Sequence, residues 1–130
     1  SLDMDGVDYW IWEALTVINP RVIVAEFNNL WPPDTAVTVP YRDDFQTEYG
    51  PMGCDYAGAS LGAFVKLANV RNYRLVGAQR YGFNAYFVRN DIAPEVLPEV
   101  APESCVQHPF AQYAMKERFG RVKDQPWEEV

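Results

Sequence analysis

An α/β fold is predicted, with parallel strands early, an antiparallel hairpin late and helices on both faces. Three features of the sequence point to it. Val22-Ile23-Val24-Ala25 is a short, continuously apolar, largely β-branched run of the kind found in internal parallel strands. A helix-like aromatic segment separates it from an earlier strand-like tip. Two further strand-like runs, Tyr73 to Gln79 and Ala85 to Arg89, are joined by a short link containing Gly82 and Asn84.

Ser1-Leu2-Asp3-Met4-Asp5-Gly6 reads as the end of a buried strand carrying two carboxylates at its tip. An extended backbone would point Asp3 and Asp5 to one side of the pleat, and Gly6 would let the chain turn sharply into a helix. Val7 to Ile18 is apolar or aromatic on nearly every side, as in a helix buried on most faces, and Asn19-Pro20 stops it. Arg21 to Phe27 follows as the second strand. Strand, helix and strand make a βαβ unit of roughly 30 residues, whose right-handed crossover would set the tips of residues 2–5 and 21–27 side by side.

Residues 28–58 carry Pro32, Pro33, Pro40, Gly50, Pro51 and Gly53 with no sustained periodicity, and read as a long loop after a strand's carboxyl end, where a lid belongs. Its aromatic residues, Trp31, Tyr41, Phe45, Tyr49 and Tyr56, could pack it down or fold over a ligand. Ser60 is an N-cap for a helix over 61–70, whose apolar residues at 61, 64, 65, 67 and 68 form a stripe. The hairpin follows. Residues 1–93 are expected to form the α/β unit. Residues 94–130 read as an arm with a repeated Pro-Glu pattern, a short amphipathic helix near 110–119 and a polar tail.

The 130 residues, 48% hydrophobic and 15% aromatic, are enough for one core. The net charge of −7 opposes a phosphate-tracking groove, so no nucleic-acid partner is expected; a small neutral or cationic ligand fits better. No apolar run is long enough to span a membrane and no secretory leader is recognisable, so no membrane partner and a cytoplasmic location are expected. Cys54 and Cys105 show no metal-ligand spacing, which fits a reducing compartment.

The segments SLDMDGVDYWIWEAL, PRVIVAEFN, GASLGAFVKLANVRNYRLVGA and GFNAYFVRND, in that order, resemble the carboxyl-terminal half of a class I S-adenosylmethionine-dependent methyltransferase, and within that class the FkbM-type methyltransferase-like group. The resemblance covers about the first 90 residues and implies a Rossmann-like half-domain whose fourth and fifth strands are parallel and whose last two form a hairpin. It implies O-methyl transfer to a small hydroxylated acceptor by the complete enzyme. The glycine-rich turn that holds S-adenosylmethionine is not found in these residues, and Gly58-Ala59-Ser60-Leu61-Gly62 does not replace it, since it follows a loop and not an apolar strand. S-adenosylmethionine is therefore expected to bind weakly or not at all to this chain alone. An unfinished sheet edge would favour a homo-oligomer.

In relatives of the catechol type, carboxylates after the fourth and fifth strands hold Mg²⁺, which orients and acidifies the substrate hydroxyl. By this resemblance Asp3 and Glu26 are the candidate metal ligands, and Asp3, Asp5, Glu26 and Asn28 the candidate catalytic residues. Phe27 stands where the family has an amide, with Asn28 one place further along. The alternative is that Asp3 and Asp5 cap the following helix while Glu26 makes an internal hydrogen bond.

Two other readings remain open. Leu2-Asp3-Met4-Asp5-Gly6-Val7 also resembles the first motif of haloacid-dehalogenase-type phosphatases, but the expected Ser or Thr at the next strand tip is replaced by Glu26 and Asn28. The chain could instead be a non-catalytic interaction or remnant module that self-associates. His108, the only histidine, has no nucleophile or acid near it in sequence and reads as a surface residue.

Overall fold

The computed structural model describes residues 1–50 and 54–130, so Pro51 and Gly53 of the predicted loop lie outside the described residues. In chain order it contains helix α1 (Asp8–Ala14), strands β1 (Val22–Glu26) and β2 (Val37–Thr38), helix α2 (Leu61–Val70), strands β3 (Tyr73–Ala78) and β4 (Asn84–Arg89), helix α3 (Pro109–Tyr113) and strand β5 (Glu128–Glu129). The fold is mixed α/β, with two antiparallel sheets ordered β1-β4-β3 and β2-β5.

The expected parallel pairing of residues 2–5 with 21–27 is corrected to a single parallel bridge between Leu2 and Ala25. Leu2 donates its N–H to the Val24 carbonyl at 2.8 Å and accepts from the Glu26 N–H at 2.9 Å. Pairing stops there because the chain turns early: Asp5 adopts φ +53°, and the N–H groups of Met4 and Gly6 turn to the Asp8 carboxylate at 3.0 and 3.1 Å. An extended tip presenting Asp3 and Asp5 on one pleat face is not formed. On its other edge β1 pairs antiparallel with β4, from Val22 opposite Val88 to Glu26 opposite Asn84.

The hairpin forms as the sequence predicts, with β3 and β4 antiparallel and a bulge between Leu75 and Gly77. Gly82, at φ +78°, makes the turn that a residue with a side chain would resist. α1 and α2 cover one face of the sheet, where Ile23, Ala25, Leu75 and Phe87 are buried. Trp12 of α1 lies at the centre, its ring 5.2 Å from Phe87, 5.9 Å from Tyr73 and 6.0 Å from Phe64. Burying each such side chain contributes about 2–3 kcal/mol, so this aromatic nest is the main tie between helices and sheet.

Helices do not cover both faces as predicted. α3 sits against the hairpin turn, with Phe110 5.5 Å from Phe83. On the second face, Val22 remains half exposed, while Arg74 is buried where its guanidinium donates to the carbonyls of Arg89, Ile92 and Leu97. That one cation pins the turn after β4, and among the described residues it has no carboxylate partner.

α1 ends at Ala14, four residues before the predicted Ile18. Leu15 leaves the helix at ψ 101°, and the Arg71 guanidinium takes up the free carbonyls of Glu13 and Leu15. α2 forms as expected. Ser60 accepts from the Ala63 N–H at 3.2 Å and donates to the Thr35 carbonyl at 2.6 Å, which ties the cap to the long loop. That loop is mostly irregular but contains β2, which pairs with β5 in the tail. The arm joins the same core: Val100 donates its N–H to the Leu75 carbonyl, and Val106 and Ala111 are buried in the main cluster. Beyond α3 the chain continues through a π turn (Ala114–Arg118) and a 3-10 turn (Phe119–Arg121). Among the described residues, no helix is long and apolar enough to cross a membrane.

Candidate functional site

Glu26 ends β1, and the bridge at Leu2 brings the following Asp3 beside it. The turn at Asp5 folds a third carboxylate back onto the pair. Ligand oxygens from Asp3, Asp5 and Glu26 all lie within 4.8 Å of one another, with Asp3 and Asp5 exposed and Glu26 partly buried. The sequence-predicted carboxylates therefore converge, although by a turn and not by a shared pleat face.

Asp5 is fixed from the long loop: the Tyr49 hydroxyl donates to its carboxylate at 2.7 Å, and the Thr47 hydroxyl donates to its backbone carbonyl. That bond to Asp5 is the first cause that pushes the Tyr49 phenol up to about 12. Glu26 is raised to about 7, first by burial and then by the negative charges of Asp3, Asp5 and Asp8. A carboxyl group in that range holds a proton near neutrality and releases it when a cation arrives.

Asn28 has a different place. Its amide nitrogen donates to the carbonyls of Asp55 and Ala57 at 2.9 and 3.0 Å, and its oxygen accepts from the Leu30 N–H at 3.0 Å. The side chain is taken up in holding loop 55–57 beside the strand tip. Asp3 and Asp5 do not cap α1, because the N-cap position, Val7, has no side-chain bond and the buried Asp8 supplies the acceptors. Sequence reading passed over Asp8. The signal for it is an acid in the first helical turn, able to reach back to the preceding N–H groups.

A cavity of about 100 Å³ opens beside the acids, and its lining includes Asp5, Glu26 and Cys54 together with Phe27, Phe83 and Arg118. Burial is the first cause that pushes the Cys54 thiol up, so it is a poor nucleophile here. Arg118 pairs with Asp55, and Arg121 bonds the same carboxylate at 3.1 Å. None of the described ion pairs involves Asp3, Asp5 or Glu26. The described lining holds no Ser, Thr or Lys, the groups the phosphatase reading needs. His108 caps α3, its Nδ1 accepting from the Phe110 N–H at 3.2 Å, and its ring stands edge-on to Tyr81.

Comparison with family models, curated proteins and solved structures returns no match.

Proposed function

We propose that this chain is the acceptor-facing part of a methyltransferase-like domain, in which Asp3, Asp5 and Glu26 hold a divalent cation of the Mg²⁺ or Mn²⁺ type. The observation that carries this reading is the convergence of three carboxylates beside a cavity without a cationic side chain paired to any of them. Hard oxygen donors match such ions, and their mutual repulsion, felt in the raised Glu26, is relieved by a +2 charge. A cation held there by Asp3, Asp5 and Glu26 would orient an acceptor hydroxyl and lower its pKa. The chain's own part is to position the acids: Leu2 and β1 set Asp3 against Glu26, Tyr49 steadies Asp5, and Asn28 fixes the loop that walls the cavity. The parallel contact at Leu2, followed by a hairpin, is consistent with the Rossmann-like half-domain. Gly62 is occupied in packing against Thr35, so these residues do not fit an S-adenosylmethionine turn and no step is assigned to that cofactor.

The test is titration of the chain with Mn²⁺, followed by electron paramagnetic resonance of the free ion. One bound ion is expected, and Asp3→Asn or Glu26→Gln should each weaken binding by about tenfold or more, as loss of one charged ligand does. Absence of binding at millimolar Mn²⁺, or unchanged affinity in both variants, would remove the reading. S-adenosylmethionine should give no heat in calorimetry with this chain alone.

A second reading, a self-associating module without catalysis, draws on exposed aliphatic side chains at the end of the molecule opposite the acids. Ile18 and Val70 are largely exposed there and border one groove.

A further inference from the structure

The C-terminal arm reaches the acidic cavity from outside, and part of its contact falls on the two residues that follow Cys54. Asp55 is nearly buried and receives guanidinium groups from both Arg118 and Arg121. Tyr56 donates its hydroxyl to the Pro126 carbonyl at 2.9 Å, and its ring stands edge-on to Trp127 at 5.0 Å. Trp127 also stands edge-on to Trp31, 5.4 Å away, and its own N–H donates to the Val122 carbonyl. Beyond it, β5 pairs with β2 and the Val130 N–H donates to the Ala36 carbonyl. On the inner side of the same short segment, the backbone carbonyls of Asp55 and Ala57 accept from Asn28 at the strand tip. Residues 54–58 are thus held between the cavity on one side and the arm on the other.

We infer that residues 118–130 form a clamp that holds the Cys54–Gly58 wall of the cavity shut, so that undocking of the arm opens the acidic site. The proposal sets the regulation of the site read above as a cation and acceptor site, but the closure itself does not depend on what binds there. The contacts suit such a device. Two guanidinium groups on one nearly buried carboxylate and two aromatic edges make one contiguous contact network, in which loss of a member is expected to weaken the rest. Most of the arm's apolar contact lies apart from the aromatic nest around Trp12: Leu30, Ala114 and Val122 form a separate small cluster with Tyr56, Phe119 and Trp127, and within residues 118–130 it is Val130 that packs against the main cluster. Local opening at a cost below that of global unfolding is the expected behaviour of a peripheral unit of this kind.

Cys54, labelled in metal-free buffer, supplies a probe of the wall that needs neither bound metal nor methyl transfer. In a Cys105→Ala background, its labelling by a maleimide is followed for the parent chain, for the double variant Arg118→Gln/Arg121→Gln, and for Trp127→Ala. Each variant should label Cys54 about tenfold faster while keeping its far-ultraviolet circular dichroism. Cys105, measured in a Cys54→Ala background, is the control and should not accelerate. Unchanged Cys54 rates in folded variants, or equal acceleration at both cysteines, would overturn the clamp. Should the double variant or Trp127→Ala fail to fold, Arg121→Gln alone, at a partly exposed position, supports or overturns the clamp by the same two rates. Loss of Mn²⁺ binding with the clamp result intact would remove the cation reading only.

Discussion

Glu26 carries the clearest electrostatic consequence at the scale of single residues. Its folded-state pKa, about 7, lies above the ordinary value of 4.5, so between those two pH values the folded chain holds a proton the unfolded chain has lost. Below about 4.5 both states are protonated and the group has no effect; as pH rises through 7 the folded state progressively bears the full penalty. Stability should therefore fall across pH 4.5–7, by about 1 kcal/mol after allowance for the partial exposure of the group. Urea denaturation at stepped pH should show this slope in the parent chain, and Glu26→Gln should flatten it. A stability that rises with pH in the same window for both chains would contradict the assignment of the burden to Glu26. Mn²⁺ added at neutral pH should restore the lost stability in the parent and not in the variant.

Among the elements, local signals held where the chemistry is local. The β-branched run at Val22 produced β1, Ser60 produced the cap of α2, and Gly82 with Asn84 accompanied the hairpin turn. What depended on distant partners was not legible. β2 is two residues long, and it exists because Glu128 and Glu129, some ninety residues later, lie against it. α1 is shorter than its apolar pattern because Arg71, at the end of another helix, satisfies its last carbonyls. The carboxylate cluster was legible as a set of residues but not as geometry, since Asp8, which nothing in the pattern singled out, is what bends the tip back. Gly62 belongs with the hidden contacts. A Cβ there would come within 2.5 Å of the Thr35 carbonyl oxygen and 3.0 Å of that of Pro33, both backbone atoms of the long loop. Gly62→Ala should cost about 1–3 kcal/mol despite the better helix propensity of alanine, because the loop must move off α2. A variant as stable as the parent in urea would show that the loop yields freely.

The whole molecule is polarised along the direction of β1. One end gathers Asp3, Asp5 and Glu26; at the other, Ile18 and Val70 border a groove of about 560 Å³ floored by Trp12, Ile23 and Tyr73. Val17 and Val22 are also exposed in this part of the chain, so four aliphatic side chains face solvent where α1, β1 and α2 meet. A stable homodimer hides about 800 Å² on each partner, roughly a tenth of the 7362 Å² surface here, and a groove of mixed lining with this aliphatic rim can form part of such an interface. Self-association by this end would leave the acidic cluster facing outward and accessible, so the cation site and the oligomer are compatible. Sedimentation velocity at high micromolar concentration should give a dimer or larger species. Ile18→Lys combined with Val70→Lys should shift it to monomer with little loss of stability, since both side chains already lie largely in solvent. A parent chain that stays monomeric at that concentration would refute the association, and an oligomer insensitive to the two lysines would move the interface elsewhere, to the open edge beside Leu2.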